Sequence, residues 1–488
     1  MNEMSEKVFS INKKFAPQST IYVNLRTYGC QMNILDSEII TGLLANLGYK
    51  FVDDENQADA IIFNTCSVRD LSERKVLGKL GSLNLKRKTR PEIVLGVCGC
   101  MAELSSERLL KKNPHIDFAC GTRYQDKIPE LLANAFIKRI STAVETKHNA
   151  EHLSRIKKAF SHLIPALDFQ STFFVGFNRQ KMSIDERIAR RARPWATFVE
   201  IVRGCSNFCS YCVVPYARGP EISRLPEDIL DEINELAKNG CVEITLLGQN
   251  VNSYGKDLRD EKISLANLLK EVQKVEKIKR IRFLTSNPQD ISDELISAIA
   301  ECDKICHHIH FPLQSGSDKI LKMMKRKYSL AEYFDKINKL KKAVPDIAFS
   351  SDFIVGFPSE SDEDFNLTCA AMEQIRYASS FLFKYSVRNG TAAAKLTDDV
   401  TEETKKARHK ILLDLQNKLT YEHHKSLVGK TVEVLIDGRS KRNPRNAQGR
   451  SRRYFNVVVE DAELSGGELV NVKITRATKL SLYGKIEK

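Results

Sequence analysis

The sequence predicts an α/β protein in three parts: an N-terminal parallel α/β domain, a central partial barrel of six β/α repeats, and a small C-terminal all-β barrel. Three observations predict it. Strand patterns alternate with helix patterns from Ile21 to about residue 140 and again from Ala196, which implies parallel sheets. The second run holds six strand patterns, too few for the closed eight-stranded barrel, so that an open partial barrel and a doubly wound sheet both fit. Past a long charged helical stretch at about 400–426, the pattern changes to short strands separated by Gly- and Asn-containing turns. A length of 488 residues agrees with more than one domain.

Residues 1–20 read as a polar extension. In the first domain (21–140), IYVNLRTYGC reads as a strand ending at Cys30, DSEIITGLLANLGY as an amphipathic helix, and DAIIFNTC as a strand ending at Cys66. A basic helical stretch follows, then EIVLGVCGC, a strand that ends at Cys98 and Cys100. Residues 141–190 break the rhythm and read as a connector. In the central domain (191–425) the strand patterns are ATFVEIVRGC, VEITLLGQN, KRIRFLTS, HHIHFPLQ, IAFSSDFIVGF and SSFLFKYSVR. Helical patterns such as PEDILDEINELAKNG lie between them. In the last domain (426–488), GKTVEVLIDG, FNVVVE and LVNVKITRAT read as strands.

Lysine and arginine number 76 against 62 acids, a net charge of +14. This favours an anionic partner, most often nucleic acid. No segment approaches the roughly 20 apolar residues that span a bilayer, and the N-terminus lacks the apolar run of a signal peptide. The expectation is a cytoplasmic chain without membrane contact. There the twelve cysteines stay reduced, and metal or redox chemistry accounts for them better than disulfides do.

RGCSNFCSYC places Cys205, Cys209 and Cys212 in a C-x3-C-x2-C run just after a predicted strand, where active-site loops of βα folds gather. Three thiolates so close can wrap one face of a cubane iron–sulfur cluster and leave one iron open. A structural zinc site would want four ligands. The spacing, with Tyr211 before the last cysteine, resembles the radical S-adenosylmethionine superfamily. That resemblance implies that S-adenosylmethionine chelates the open iron and is cleaved to a 5′-deoxyadenosyl radical. Loops LLGQN (246–250), PLQSGS (312–317) and DFIVGFPSE (352–360) fall at the same predicted strand ends. Tyr211, Gln249, Ser351, Asp352 and Gly356 are the candidate cofactor contacts, Gly356 because a glycine lets backbone approach a ligand closely.

Cys30, Cys66 and Cys100 are far apart in sequence, yet each falls at the C-terminal end of a predicted parallel strand. Those ends line one sheet edge, so the thiols can converge. Buried structural cysteine is the ordinary alternative. Cys98, two residues before Cys100, shares its face in a strand and competes as the ligand. YGCQMN (28–33), NTCSVR (64–69) and GCMAE (99–103) are similar to the cysteine motifs of the methylthiotransferase family, and RGCSNFCSYCVVPYARGPEISR (203–224) looks like its radical core. The resemblance implies two 4Fe-4S clusters: a radical cluster on Cys205, Cys209 and Cys212, and an auxiliary cluster on Cys30, Cys66 and Cys100. It also implies two S-adenosylmethionine molecules per turnover, one a methyl donor and one the radical source. Cys120, Cys241, Cys302, Cys306 and Cys369 match no motif and read as structural.

YGCQMN and LLGQNVNSYG (246–255) look like the family branch that adds a methylthio group to C2 of N6-isopentenyladenosine at position 37 of tRNA, next to the anticodon. The other branches act on threonylcarbamoyl-adenosine in tRNA or on an aspartate of a ribosomal protein. The implied partners are tRNA, an electron donor such as flavodoxin or ferredoxin, and a sulfur source, with the enzyme a monomer. The last domain supports RNA separately. From Ser426 onward thirteen basic residues oppose seven acidic ones, and the segment resembles the TRAM domain, an RNA-binding barrel. Arg439, Lys441, Arg442, Arg445, Arg450, Arg452 and Arg453 form a run without an acid and are the candidate RNA contacts. Tyr454 and Phe455 follow it; Tyr454 can stack on a base, while core burial is the commoner fate for Phe455.

Overall fold

The computed structural model describes every residue except 1–9, 11, 68–69, 144–149, 164–171, 177–185, 259, 261 and 488. Val68 and Arg69, the last two residues of the NTCSVR motif, therefore lie outside the described residues. The chain divides into two compact units: Met1–Ala192 with Val213–Gly219, and Arg193–Cys212 with Pro220–Lys488.

The first unit is built on a parallel six-stranded sheet in the order β2-β1-β3-β4-β5-β6. Its strands are β1 (Tyr22–Tyr28), β2 (Lys50–Phe51), β3 (Ala60–Thr65), β4 (Val94–Cys98), β5 (Phe118–Cys120) and β6 (Phe173–Phe174). Every residue of β3 and β4 is buried, which explains their near-continuous apolar runs: a central parallel strand is covered on both faces. Helix α1 (Gln31–Asn46) buries Leu35, Ile39, Ile40 and Leu43, the helical repeat of one face. Next along the chain come α2 (Asp70–Lys86) and α3 (Cys100–Lys112). In α3, Glu103 in the first turn and Lys111 and Lys112 in the last complement the helix dipole. Helix α4 (Ile128–Thr142) packs on α5 (Ala150–Phe160), with Phe136 and Phe160 stacked at 5.0 Å.

The described residues of the stretch read as a connector belong to this unit. They supply α5, which buries Leu153, Ile156 and Phe160, and β6, which pairs with β5. A two-residue strand and one short helix gave too little periodicity to be seen. The described part of the N-terminal extension also docks here: Phe15 is buried, and the Gln18 N–H donates to Ala159 O at 2.9 Å.

In the second unit, the six strand patterns of the central domain all form strands: β7 (Ala196–Arg203), β9 (Glu243–Gly248), β10 (Arg280–Leu284), β11 (His308–His310), β12 (Ala348–Val355) and β13 (Ser379–Lys384). Each pairs in parallel with its neighbour, and a bridge from Ile281 to Ile305 links the β10 group to the β11 group. Short β8 (Ile222–Ser223) runs antiparallel beside β7. The sheet is therefore an open partial barrel. Alternate residues such as Val199, Ile244, Ile281, Ile309 and Phe349 join one apolar core beneath the helices.

Five further strands close a small barrel in the order β14-β15-β16-β18-β17. They are β14 (Thr431–Arg439), β15 (Ala447–Ser451), β16 (Asn456–Val459), β17 (Leu469–Ala477) and β18 (Leu482–Ile486). Sequence AQGRS gave no strand signal for β15, since Gly, Gln and Ala are poor strand formers. Tertiary pairing overrides that: a Cβ on Gly449 would strike the Leu435 carbonyl of β14.

Candidate functional site: two cysteine triads

Cys205, Cys209 and Cys212 lie on the loop after β7, at the C-terminal edge of the partial barrel. The loop is pinned on several sides. Ser210 N donates to Met324 O at 2.9 Å, Ser210 Oγ to Met323 O at 2.8 Å, and Ala393 N to Ser210 O at 2.7 Å. Gly204 N donates to Gln249 Oε1, which ties the β7 and β9 loops together. Tyr211 packs against Ile320, Met324 and Phe357, where it anchors the loop. Asn207 Nδ2 approaches Cys205 Sγ at 3.5 Å, and Arg326 Nη1 approaches Cys209 Sγ at 3.5 Å. Burial pushes the Cys205 thiol up, while Asn207 works the other way. Arg326 stays charged although burial opposes it, because Tyr328, Tyr211 and Cys209 favour its charge.

The surroundings fit a polar ligand. Gln249 Nε2, Asn252 Oδ1 and Ser286 Oγ are buried without hydrogen-bond partners. They follow β9 and β10 on the same edge as the cysteines. Buried orphans of this kind are costly unless something bonds them.

The other candidate contacts fare differently. Ser351 is buried; its Oγ accepts from Leu313 N at 3.0 Å and donates to Asp352 O at 3.3 Å. The Asp352 carboxylate lies 3.4 Å from His310 Nε2 and is partly exposed. At Gly356, φ is +68°, and a Cβ would strike Lys405 in helix α13 (Glu402–Lys425). Its N–H is given to Glu360 Oε2 at 2.7 Å. The glycine thus makes room for a helix of this chain and not, on that side, for a ligand. Glu360 is held by Arg408 at 2.7 Å.

The second triad is assembled in the first unit from three strand ends. Cys30 caps α1, Cys66 follows β3, and Cys100 begins α3. A Cβ built on Gly29 would lie 2.8 Å from Cys66 Cβ, so the first two loops touch. Two buried asparagines lock them: Asn33 Nδ2 donates to Asn64 Oδ1, and Asn64 Nδ2 to Asn33 O, both at 2.9 Å. A hydrogen bond from Cys66 is the largest influence on the Cys30 thiol. It outweighs burial, and Arg218 with the Asn33 and Met32 N–H groups helps to bring that thiol down to about 6. Burial pushes Cys100 up; Arg218 opposes, while the charge of Cys30 adds to the rise. Cys98 is raised by burial, then by Asp36 and Cys100. It ends β4, in register with Asn64 of β3 on one side and Cys120 of β5 on the other.

Among the described residues no three His, Cys, Asp or Glu side chains gather closely enough to hold one ion. Three thiols on one face of a cubane bind three different irons and stand wider apart than ligands of a single ion. Cys241, Cys302 and Cys306 are buried and Cys369 is half-buried; Cys241 and Cys302 belong to the apolar core of the partial barrel, and Cys369 packs against it.

The seven cations of the small barrel divide. Lys441, Arg442 and Arg445 are exposed on the β14–β15 loop, with Arg439 at its start. Arg452 and Arg453 instead reach from the small barrel to the β/α barrel within the second unit, and Arg450 packs on Tyr454. Arg452 Nη2 donates to Ile305 O at 2.9 Å, and Arg453 lies 3.7 Å from Asp346. Arg450 lies over the Tyr454 ring at 4.6 Å. Tyr454 stacks on His308 at 5.2 Å and is therefore already occupied. Phe455 is in the core.

A parallel partial barrel with three cysteines on its first loop defines the radical S-adenosylmethionine class. The model of the Radical SAM superfamily matches residues 199–371, that of an uncharacterized protein family, UPF0004, matches 22–121, and the TRAM domain matches 425–486. Among solved structures, the radical S-adenosylmethionine methyltransferase TsrM from Kitasatospora setae has a similar fold (TM-score 0.52, 13% identity, 77% of each chain). Two curated relatives carry the name tRNA-2-methylthio-N(6)-dimethylallyladenosine synthase. The one from Clostridium novyi is 41% identical over 99% of this chain and 100% of its own length. The one from Protochlamydia amoebophila is 41% identical over 95% of this chain and 96% of its own. The chain belongs to the tRNA-2-methylthio-N(6)-dimethylallyladenosine synthase family.

Proposed function

We propose that this chain adds a methylthio group to C2 of N6-isopentenyladenosine at position 37 of tRNA. The observation that carries the reading is the pair of triads: one on the first loop of a partial barrel, the other at the edge of a separate parallel sheet. When bound, S-adenosylmethionine and two 4Fe-4S clusters supply a carbon-centred radical and the site of sulfur transfer. An aromatic C–H of this kind has no useful acidity, so no side-chain base could replace that chemistry.

The residues have separate tasks. Cys205, Cys209 and Cys212 hold the radical cluster, with Arg326 and Asn207 against its sulfurs. Gln249, Asn252 and Ser286 offer unmet donors and acceptors to S-adenosylmethionine, and Asp352 is placed to accept from a hydroxyl. Cys30, Cys66 and Cys100 hold the auxiliary cluster; Cys100 is assigned over Cys98 because it neighbours Cys30. Arg439, Lys441, Arg442 and Arg445 meet tRNA phosphates. An electron donor of the flavodoxin or ferredoxin type and a sulfur source complete the system.

Mass spectrometry of tRNA nucleosides from a strain lacking the gene tests the reading. The 2-methylthio mark on isopentenyladenosine should vanish and return with the gene. An unchanged tRNA profile would reject it and turn attention to a ribosomal-protein aspartate.

A further inference from the structure

Arg218 ends helix α6 (Val214–Arg218) and lies in the RGCSNFCSYCVVPYARGPEISR stretch, yet it belongs to neither cysteine triad. Its side chain is 3% exposed, and Nη2 pairs with Asp36 Oδ2 at 2.8 Å, itself 2% exposed. Both ends of the pair are fixed. Asp36 Oδ1 accepts from Gln125 Nε2 at 3.1 Å. The Arg218 carbonyl accepts from Arg123 Nη2 at 2.7 Å, and the Ala217 carbonyl from Thr122 Oγ1 at 2.7 Å.

A buried ion pair adds little stability by itself, because desolvation cancels most of the attraction. This one also leaves a donor over. Arg218 Nη1 is buried without a hydrogen-bond partner. Helix α6 packs on α3, whose first residue is Cys100. Arg218 thus packs beside the helix that begins at Cys100 and pairs with Asp36 of the helix that Cys30 caps. The second unit offers an independent parallel: half-buried Arg326 donates to Cys209 of the other triad.

We infer that Arg218, aimed by Asp36, is a positioning residue for the auxiliary cluster, turning its free N–H toward the sulfurs and balancing their negative charge. The inference rests on the reading of Cys30, Cys66 and Cys100 as a cluster site. Hydrogen bonds and charge at the sulfurs set both the retention and the potential of such a cluster. Removing the cation should loosen the cluster and make it harder to reduce. Removing the Asp36 charge should make it easier to reduce.

The test uses the full chain with Cys205, Cys209 and Cys212 all changed to Ala, so that only the auxiliary site can load. After anaerobic reconstitution, iron and sulfide, the rate of iron loss to a chelator and the midpoint potential are measured in this parent and with Arg218→Gln, Arg218→Lys or Asp36→Asn added. Arg218→Gln should lose iron about 10- to 100-fold faster and shift the potential negative, and Arg218→Lys should recover part of both. Asp36→Asn should shift the potential positive; a mere folding defect would not give opposite signs in the two variants. Wild-type retention and potential in Arg218→Gln would overturn the inference alone. A parent that takes up no iron would overturn the cluster reading and the inference with it.

Discussion

Cys205, Cys209 and Cys212 share one loop after β7, whereas Cys30, Cys66 and Cys100 come from three separate strand ends of another sheet. The first triad is held by backbone: carbonyls of Met323 and Met324 fix its loop. The second is held by side chains, the buried Asn33–Asn64 pair and the Arg218–Asp36 pair. A local motif carries its geometry wherever the loop is anchored. A dispersed motif needs the whole sheet to set it and a polar lattice to hold its parts together. Yet both place an arginine by a cysteine, so the need to balance buried negative sulfur is common to the two.

The comparison can be broken at its strongest point by Cys205→Ala. This should abolish both S-adenosylmethionine cleavage, read as 5′-deoxyadenosine, and methylthio product. Cys100→Ala should stop the product while cleavage continues at least in part. If Cys98→Ala stops the product and Cys100→Ala does not, the assignment of the dispersed triad is wrong. Arg326→Gln should weaken iron retention at the loop triad about 10- to 100-fold and leave the dispersed one loaded, as chelator kinetics would show.

Two smaller changes serve as controls away from both triads. Tyr454→Ala removes the stack between His308 and Arg450. It should lower stability by about 2 kcal/mol in denaturant melts, with iron content unchanged. Arg442→Gln with Arg445→Gln should lessen the salt dependence of tRNA binding by about one log–log unit per lost phosphate contact. Neither should alter the iron bound to the protein.

Much of this was legible in the sequence for a physical reason. Strands β3 and β4 carry near-continuous apolar runs, because central parallel strands are buried on both faces, and the partial-barrel strands mix apolar residues with polar ones. The loop triad was legible from spacing, and the dispersed one from three strands ending in cysteine. What was hidden depends on long-range contact. Arg326 sits in KRKY, which reads as a solvated run, yet it folds over Tyr328 with its charge against Cys209. Arg218 meets Asp36 across 182 positions. Asn33 and Asn64, which lock the two loops together, lie 31 positions apart and carry no local signal. Arg450, Arg452 and Arg453 read like their exposed neighbours because charge alone does not reveal which cations pack on another element.

Iron and sulfide counted in anaerobically reconstituted protein test the central claim most directly. The intact chain should hold about eight of each, and a variant lacking either triad about four. A chain without Cys30, Cys66 and Cys100 that still holds about eight would contradict it.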